Sequence, residues 1–212
     1  MSASTNVQFA NLRLQDYFNK YPSLSICKDS INTAFKSIVN SFSEGSKLLL
    51  CGNGGSASDA DHISGELLKG FEKKRPLQSQ WLSKLGVKLV NELQGGLPAI
   101  PLANFTSLIT AFCNDCNPEY VYAQLVWSLG CKKDILFCIS TSGNSSNILH
   151  AATVARAKGL YTIGLTGRSG GKLSKLTNVS IKVPAEITRE IQEYHLPIYH
   201  ILCLMIEDYF FK

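Results

Sequence analysis

Apolar positions along this chain follow two rhythms. Over 27–44, Ile31, Phe35, Ile38, Val39 and Phe42 return every three or four residues, which places them on one helical face. A helical pattern also covers about 7–22. Gly45 breaks the second pattern, and Lys47-Leu48-Leu49-Leu50-Cys51 follows as a short apolar run of strand length. Pro98–Leu102, Asp134–Ile139 and Leu160–Leu165 are runs of the same kind, and Val179–Val183 alternates more. Helical segments at about 56–71, 119–129, 145–158 and 187–210 separate or follow them. Strands that alternate with helices, and that read as nearly continuous apolar runs, predict βαβ units around a parallel sheet buried on both faces. The expectation is an α/β fold in one domain over 1–212. Two N-terminal helices (about 7–44) precede a sandwich core (about 47–212) with five parallel strands. One further helix is expected at 78–95, with Trp81, Leu82, Leu85, Leu89 and Leu93 on one face and a stop at Gly95-Gly96.

Composition narrows the class. With 212 residues, 45% apolar and 17% charged, the chain can bury a core without disulfides or metals. Its net charge of +5 is modest. The local cluster Lys73-Lys74-Arg75 reads as a solvated loop, so a nucleic-acid partner is not expected, whereas an anionic small molecule suits the charge well. Seven cysteines, an odd number set mostly in apolar runs, read as reduced and buried. Cys113 and Cys116 form a CxxC with no second pair to complete a zinc knuckle, and a redox motif would belong at a helix start after a strand. No stretch has the form of a signal peptide, and no run approaches the ~20 apolar residues of a membrane span. A cytoplasmic location without a membrane partner is expected.

Two loops suggest the chemistry. Cys51-Gly52-Asn53-Gly54-Gly55-Ser56 joins a strand to a helix, where glycines let the backbone approach a ligand and the helix offers free N–H groups. Its spacing is not that of a dinucleotide fingerprint, and a plain tight turn would look similar. Ser140-Thr141-Ser142-Gly143-Asn144-Ser145-Ser146-Asn147 sets five hydroxyls around one glycine, again between a strand and a helix. Such hydroxyls can donate to phosphate oxygens, aided by the positive end of the helix. No P-loop lysine accompanies them, so a sugar phosphate is the expected ligand rather than a nucleoside triphosphate. Both loops fall where open parallel sheets bind ligands. His62 and Glu66 are four apart on one helical face, able to act as an acid/base pair or metal ligands, although a simple surface pair reads the same way. His195 and His200 lie about 140° apart around the last helix and cannot face the same way.

Taken in order, C-G-N-G-G-S (51–56), D-x-x-H-x-x-x-E (59–66), S-T-S-G-N-S (140–145) and I-Q-E-x-H-x-x-x-x-H (191–200) resemble the phosphoheptose isomerases of the SIS superfamily. L-T-G-R-S-G-G-K (165–172) and Asn114-Asp115 also match family positions, and the resemblance covers about 30–212. It implies a SIS-type three-layer αβα sandwich, a homotetramer with active sites between subunits, and conversion of sedoheptulose 7-phosphate to D-glycero-D-manno-heptose 7-phosphate through an enediol. Glu66 is then the base and His200 the general acid. Ser140, Thr141, Ser142 and Ser145 would hold the phosphate, and Asn53, Gly54, Gly55, Ser56, Asn114, Asp115 and Gln192 would line the substrate site. His62, Glu66, Gln192 and His200 match positions that bind Zn2+ in some members, although Gln192 and His200 are about 12 Å apart along a continuous helix.

The chain also departs from that pattern. Lys69-Gly70-Phe71 stands where a Gly, an Arg and an aromatic are usual, so a substrate-contacting cation is displaced. Arg189-Glu190 shifts a second arginine by one place, and 78–95 reads as an insertion. Alternatives are a non-catalytic SIS adaptor, a sugar-phosphate-binding protein, or an isomerase of another ketose phosphate. An adaptor would lack the acid/base residues that His62, Glu66, Gln192 and His200 supply.

Overall fold

A computed structural model describes residues 3–211, with side chains from residue 8 onward. Helices α1 (Ala3–Lys20) and α2 (Lys28–Ser43) come first, joined by a 3-10 turn at Pro22–Cys27. Five strands follow: β1 (Leu48–Cys51), β2 (Ala99–Pro101), β3 (Ile135–Ile139), β4 (Tyr161–Thr166) and β5 (Val179–Lys182). Between and after them stand α3 (Gly55–Leu68), α4 (Leu82–Glu92), α5 (Thr106–Asp115), α6 (Val121–Leu129), α7 (Ser146–Ala157) and α8 (Thr188–Phe210).

All neighbouring strands pair in parallel, in the order β2-β1-β3-β4-β5. Side chains alternate between the two faces of each strand, and both faces are covered. Leu48, Leu50, Phe137, Ile139, Ile163 and Leu165 enter one core with α1, α2, α3 and α8. Leu49, Cys51, Leu136 and Cys138 enter the other with α6 and α7. The result is the expected three-layer αβα sandwich. From β1 the chain runs outward to β2, then returns to β3 on β1's other side, so the sheet's topological switch lies between β1 and β3.

The inserted stretch differs from expectation. It is not one helix over 78–95: a 3-10 turn at Ser79–Trp81 leads into α4, and Gly86 breaks the helical backbone with φ 77 and ψ 162. The apolar face of Trp81, Leu82, Leu85, Leu89 and Leu93 is exposed, with Val90 the buried member of α4. Periodicity reveals an apolar face but not what covers it. The segment 106–115, given no element on sequence, is helix α5. The Lys73-Lys74-Arg75 cluster is not a solvated loop either, because Arg75 is buried and Lys73 pairs with Asp208 at 2.8 Å.

Every cysteine is free, and Cys27, Cys51, Cys138 and Cys203 are buried. Cys113 lies near the end of α5 with Cys116 just beyond it, not at the helix start a redox pair requires. Among the described residues no helix is long and apolar enough to cross a membrane.

Candidate active site

The glycine and serine loops leave the C-terminal ends of β1 and β3, and they meet. Asn53 and Asn147 exchange amide hydrogen bonds, each Nδ2 donating to the other's Oδ1 at 2.9 Å. Beneath the glycine loop, the Tyr122 hydroxyl donates to the Gly52 carbonyl at 2.7 Å. Gly52 can carry no side chain, since a Cβ would stand 2.4 Å from the Ser56 carbonyl oxygen. Gly54 caps α3 at φ 54, and Gly55 opens the helix beside the Gln192 side chain. Asn53, Gly54 and Gly55 face solvent, while Ser56 is buried behind them.

The serine loop is braced from below by 165–172. Gly143 has φ 63, and a Cβ there would lie 2.2 Å from the Gly170 carbonyl. The Gly167 amide donates to Thr141, the Leu173 amide to Gly143, and the Lys172 amide to the Asn144 side chain. Ser140 and Ser145 hydroxyls sit 3.3 Å apart at the start of α7, and Ser142 Oγ accepts from the Asn144 amide. Thr141, Ser142 and Asn144 line an open cleft of about 530 Å³ together with Arg168, Ser169 and Thr188. The Glu186 carboxylate also lines this cleft, 3.3 Å from Arg168, while Ser145 and the start of α7 stand beside the serine loop rather than in the lining.

A second cluster forms where α3 and α8 pack side by side. The two helices run in the same direction: Gln192 lies against Gly55, Tyr199 and His200 against His62. His62 Nε2 is 3.2 Å from Glu66 Oε1, and His62 Nδ1 is 3.0 Å from the Tyr199 hydroxyl. The His200 ring stands edge-on to His62 with centroids 5.0 Å apart, and Phe71 packs 5.4 Å from it on another side. Burial, and then the proximity of His62, holds the His200 imidazole below its usual pKa against the opposing pull of Glu66. A neutral imidazole of this kind can donate an N–H to a developing oxyanion. The Asp59 carboxyl is raised by burial, offset in part by the Tyr199 hydroxyl and by His62.

Not all the expected residues come together. The His62–Glu66–His200 cluster lies roughly 10–16 Å along α3 from the glycine loop, at about 1.5 Å per residue. Gln192 belongs to the loop end, because α8 is continuous from Thr188 and carries His200 two turns further on. It is therefore not grouped with the other three candidate zinc ligands. Among the described residues no three His, Cys, Asp or Glu side chains are set as a metal-binding group, although His200 Nε2 is buried with no hydrogen-bond partner. Asn114 and Asp115 end α5, are exposed, and bond to each other at 2.9 Å. Tyr122 and Tyr199 were not singled out on sequence, and Asn147 and Asp59 entered only as members of the serine loop and of D-x-x-H-x-x-x-E. The partners of Asn147, Tyr122 and Tyr199 lie far along the chain, so no local spacing announces them.

A family model for the SIS domain matches residues 24–94 and 96–167. The chain is 42% identical to a phosphoheptose isomerase of Helicobacter hepaticus over 179 residues, covering 84% of this chain and 82% of that protein. The one from Glaesserella parasuis is 38% identical over 202 residues, with 95% and 93% covered. The chain belongs to the phosphoheptose isomerase family. A solved phosphoheptose isomerase from Francisella tularensis superposes with a TM-score of 0.75 at 32% identity, over 97% of this chain and 98% of that one.

At Gly70 a Cβ would stand 2.1 Å from the Lys73 carbonyl oxygen, so this position has no room for a side chain. The returning insertion fills the space, with the Gln94 side chain accepting from the Gly70 amide at 3.1 Å. Lys69 is exposed and donates to the Gly70 carbonyl.

His195 does not join either cluster. It is fully buried, and neither ring nitrogen has a hydrogen-bond partner. Desolvation lowers its pKa from 6.5 to about 4, opposed only weakly by the nearby Thr166 backbone, which does not complete a hydrogen bond to the ring. Below pH 6.5 the unfolded chain takes up this proton and the folded chain does not, so stability is complete above 6.5 and falls toward pH 4. At about 1.4 kcal/mol per pH unit, His195 accounts for about 3 kcal/mol over that range. Urea unfolding followed from pH 7 to pH 4 is expected to give a flatter profile in His195→Leu than in the wild type, and parallel profiles would refute this.

Proposed function

We propose that the protein is an aldose–ketose isomerase that interconverts sedoheptulose 7-phosphate and D-glycero-D-manno-heptose 7-phosphate through an enediol. The observation that carries this reading is the convergence of Glu66, His62 and His200 in a molecule whose serine loop sets hydroxyls at the start of a helix. An adaptor has no need of that cluster.

In this mechanism the phosphate lies on Ser140, Thr141, Ser142 and Ser145 at the N-terminus of α7. The Asn53–Asn147 pair holds the two loops in register, and Gln192, Gly54 and Gly55 border the sugar. Glu66 takes the proton from one of C1 and C2 and returns it to the other. His62, pinned by the Tyr199 hydroxyl, orients the carboxylate. His200 donates its N–H to the oxygen on which charge develops. Zinc binding is a separable part of the proposal. His62, Glu66 and His200 carry the nitrogen and oxygen donors that Zn2+ takes, and His200 Nε2 has no protein partner. When bound, the ion would polarise the sugar carbonyl. No step above passes through it.

The reading includes a homo-oligomer, with each site shared between two chains. With bonds of about 1.5 Å, the phosphorus and the C1–C2 edge of an extended seven-carbon sugar are only about 8–10 Å apart. Within one chain Glu66 stands roughly 16 Å along α3 from Gly55, whose loop is tied to the serine loop by the Asn53–Asn147 pair. A second copy that sets its α3–α8 seam against the loops would close the gap. Exposed Phe9 and Leu12 on α1, and the uncovered face of α4, are apolar surface that association could bury.

Two measurements test these statements. Incubated with sedoheptulose 7-phosphate in deuterated water, with and without zinc, the wild type is expected to form the aldose carrying deuterium at C2. Glu66→Gln should slow this by about 10²–10⁴-fold. Absence of conversion by the wild type in either condition would rule out this substrate. For the shared site, Glu66→Gln is mixed under refolding with Ser145→Asp, which repels phosphate. Recovery of activity in the mixture is expected, and a mixture as inactive as its parents would place each site within one chain.

A further inference from the structure

Arg75 heads the bulkiest fully buried side chains of the described molecule, and its surroundings lead to Glu66. Its Nε donates to Glu207 Oε1 at 2.9 Å, Nη1 to the Leu67 carbonyl at 2.8 Å and Nη2 to the Glu66 carbonyl at 2.9 Å. Glu207 in turn accepts the amides of Phe71, Glu72 and Lys73. Burial pushes the Glu207 carboxyl up, but these amides and Arg75 outweigh it and hold the group ionised. The Phe211 ring covers the guanidinium at 4.5 Å, and Gly95, at the return of the insertion, donates its amide to the Arg75 carbonyl at 2.7 Å.

Stability does not explain such a pair. Taking two charges out of water is costly, and replacing a buried pair with apolar side chains of similar volume is often neutral or stabilising. Apolar side chains cannot, however, hold carbonyl oxygens. Those of Glu66 and Leu67 are among the carbonyls left open at the C-terminal end of α3: Arg75 caps the first and shares the second with the Leu97 amide, which donates to it at 2.9 Å. Glu207 is seven residues, about two turns, beyond His200 on the same face of α8. The pair therefore joins the last turn of the helix that carries Glu66 to the helix that carries His200.

We propose that Arg75, buried against Glu207, is a positioning residue that fixes the Glu66 carboxylate relative to His200. This rests on the reading of Glu66 as the base. Arg75 itself touches neither substrate nor the reacting atoms. The sequence region that reads as a basic surface loop is thereby part of the support of the site.

The test uses two variants of the full chain. R75K keeps a charge for Glu207 but loses the fork that holds both carbonyls. The R75M/E207M double variant removes both charges and retains the volume. Both are expected to fold, with kcat down by about 10–100-fold, as a misplacement of about 1 Å produces, and KM within about threefold. Amide exchange over 66–75 should accelerate about tenfold or more while the strands stay protected. Unchanged kcat in either folded variant, a KM that rises as kcat falls, or failure of both variants to fold would overturn the proposal. Should the wild type prove inert toward sedoheptulose 7-phosphate, the isomerase reading fails. The exchange measurement then still decides whether Arg75 fixes this turn, and unaltered exchange refutes it.

Discussion

The packing of α3 along α8 is the constraint on which the rest of the site depends. Both helices follow strands of the same parallel sheet, so both run back from its C-terminal edge in the same direction. Residues at matching heights are therefore neighbours: Gln192 with Gly55, His200 with His62, and Glu207, through Arg75, with Glu66. One helix brings a carboxylate and the other an imidazole, and burial in the seam between them lowers the His200 pKa. A slip of one turn between the helices would break every one of these pairings.

The same geometry separates functions that a linear list of site residues merges. In the proposed mechanism loop-end residues hold the phosphate, whereas residues two to three turns along the seam move the proton. The backbone around the loops is rigid for a specific reason. Gly143 and Gly171 are packed so closely that a Cβ on either would collide with the opposite loop, so the serine loop sits on a base without slack. Preorganised donors of this kind need little rearrangement when substrate arrives.

The five strands were legible because a parallel sheet covered on both faces leaves continuous apolar runs. Both loops were legible as glycine and serine clusters between a strand and a helix, and His62–Glu66 as an i, i+4 pair, although a plain turn and a surface pair read the same way. Other features depend on distant partners. Arg75 looked solvated because Glu207 lies 132 positions away. Asn53 gave no sign of pairing with Asn147, 94 positions on. The apolar stripe of the insertion marked helical structure but not its bounds or the break at Gly86, and that face is exposed. Helix α5, given no element on sequence, had a legible signal: Phe105, Leu108, Ile109, Phe112 and Cys113 recur at helical spacing, and they pack half-buried against the core beside α6 and α7.

The most direct test of this account is a crystal structure of the Glu66→Gln variant with sedoheptulose 7-phosphate bound. The account predicts the phosphate on Ser140, Thr141 and Ser145 at the start of α7. The C1–C2 edge should lie between residue 66 and His200 of a neighbouring copy. Phosphate bound away from the serine loop, or a C1–C2 edge remote from residue 66 and His200, would contradict it.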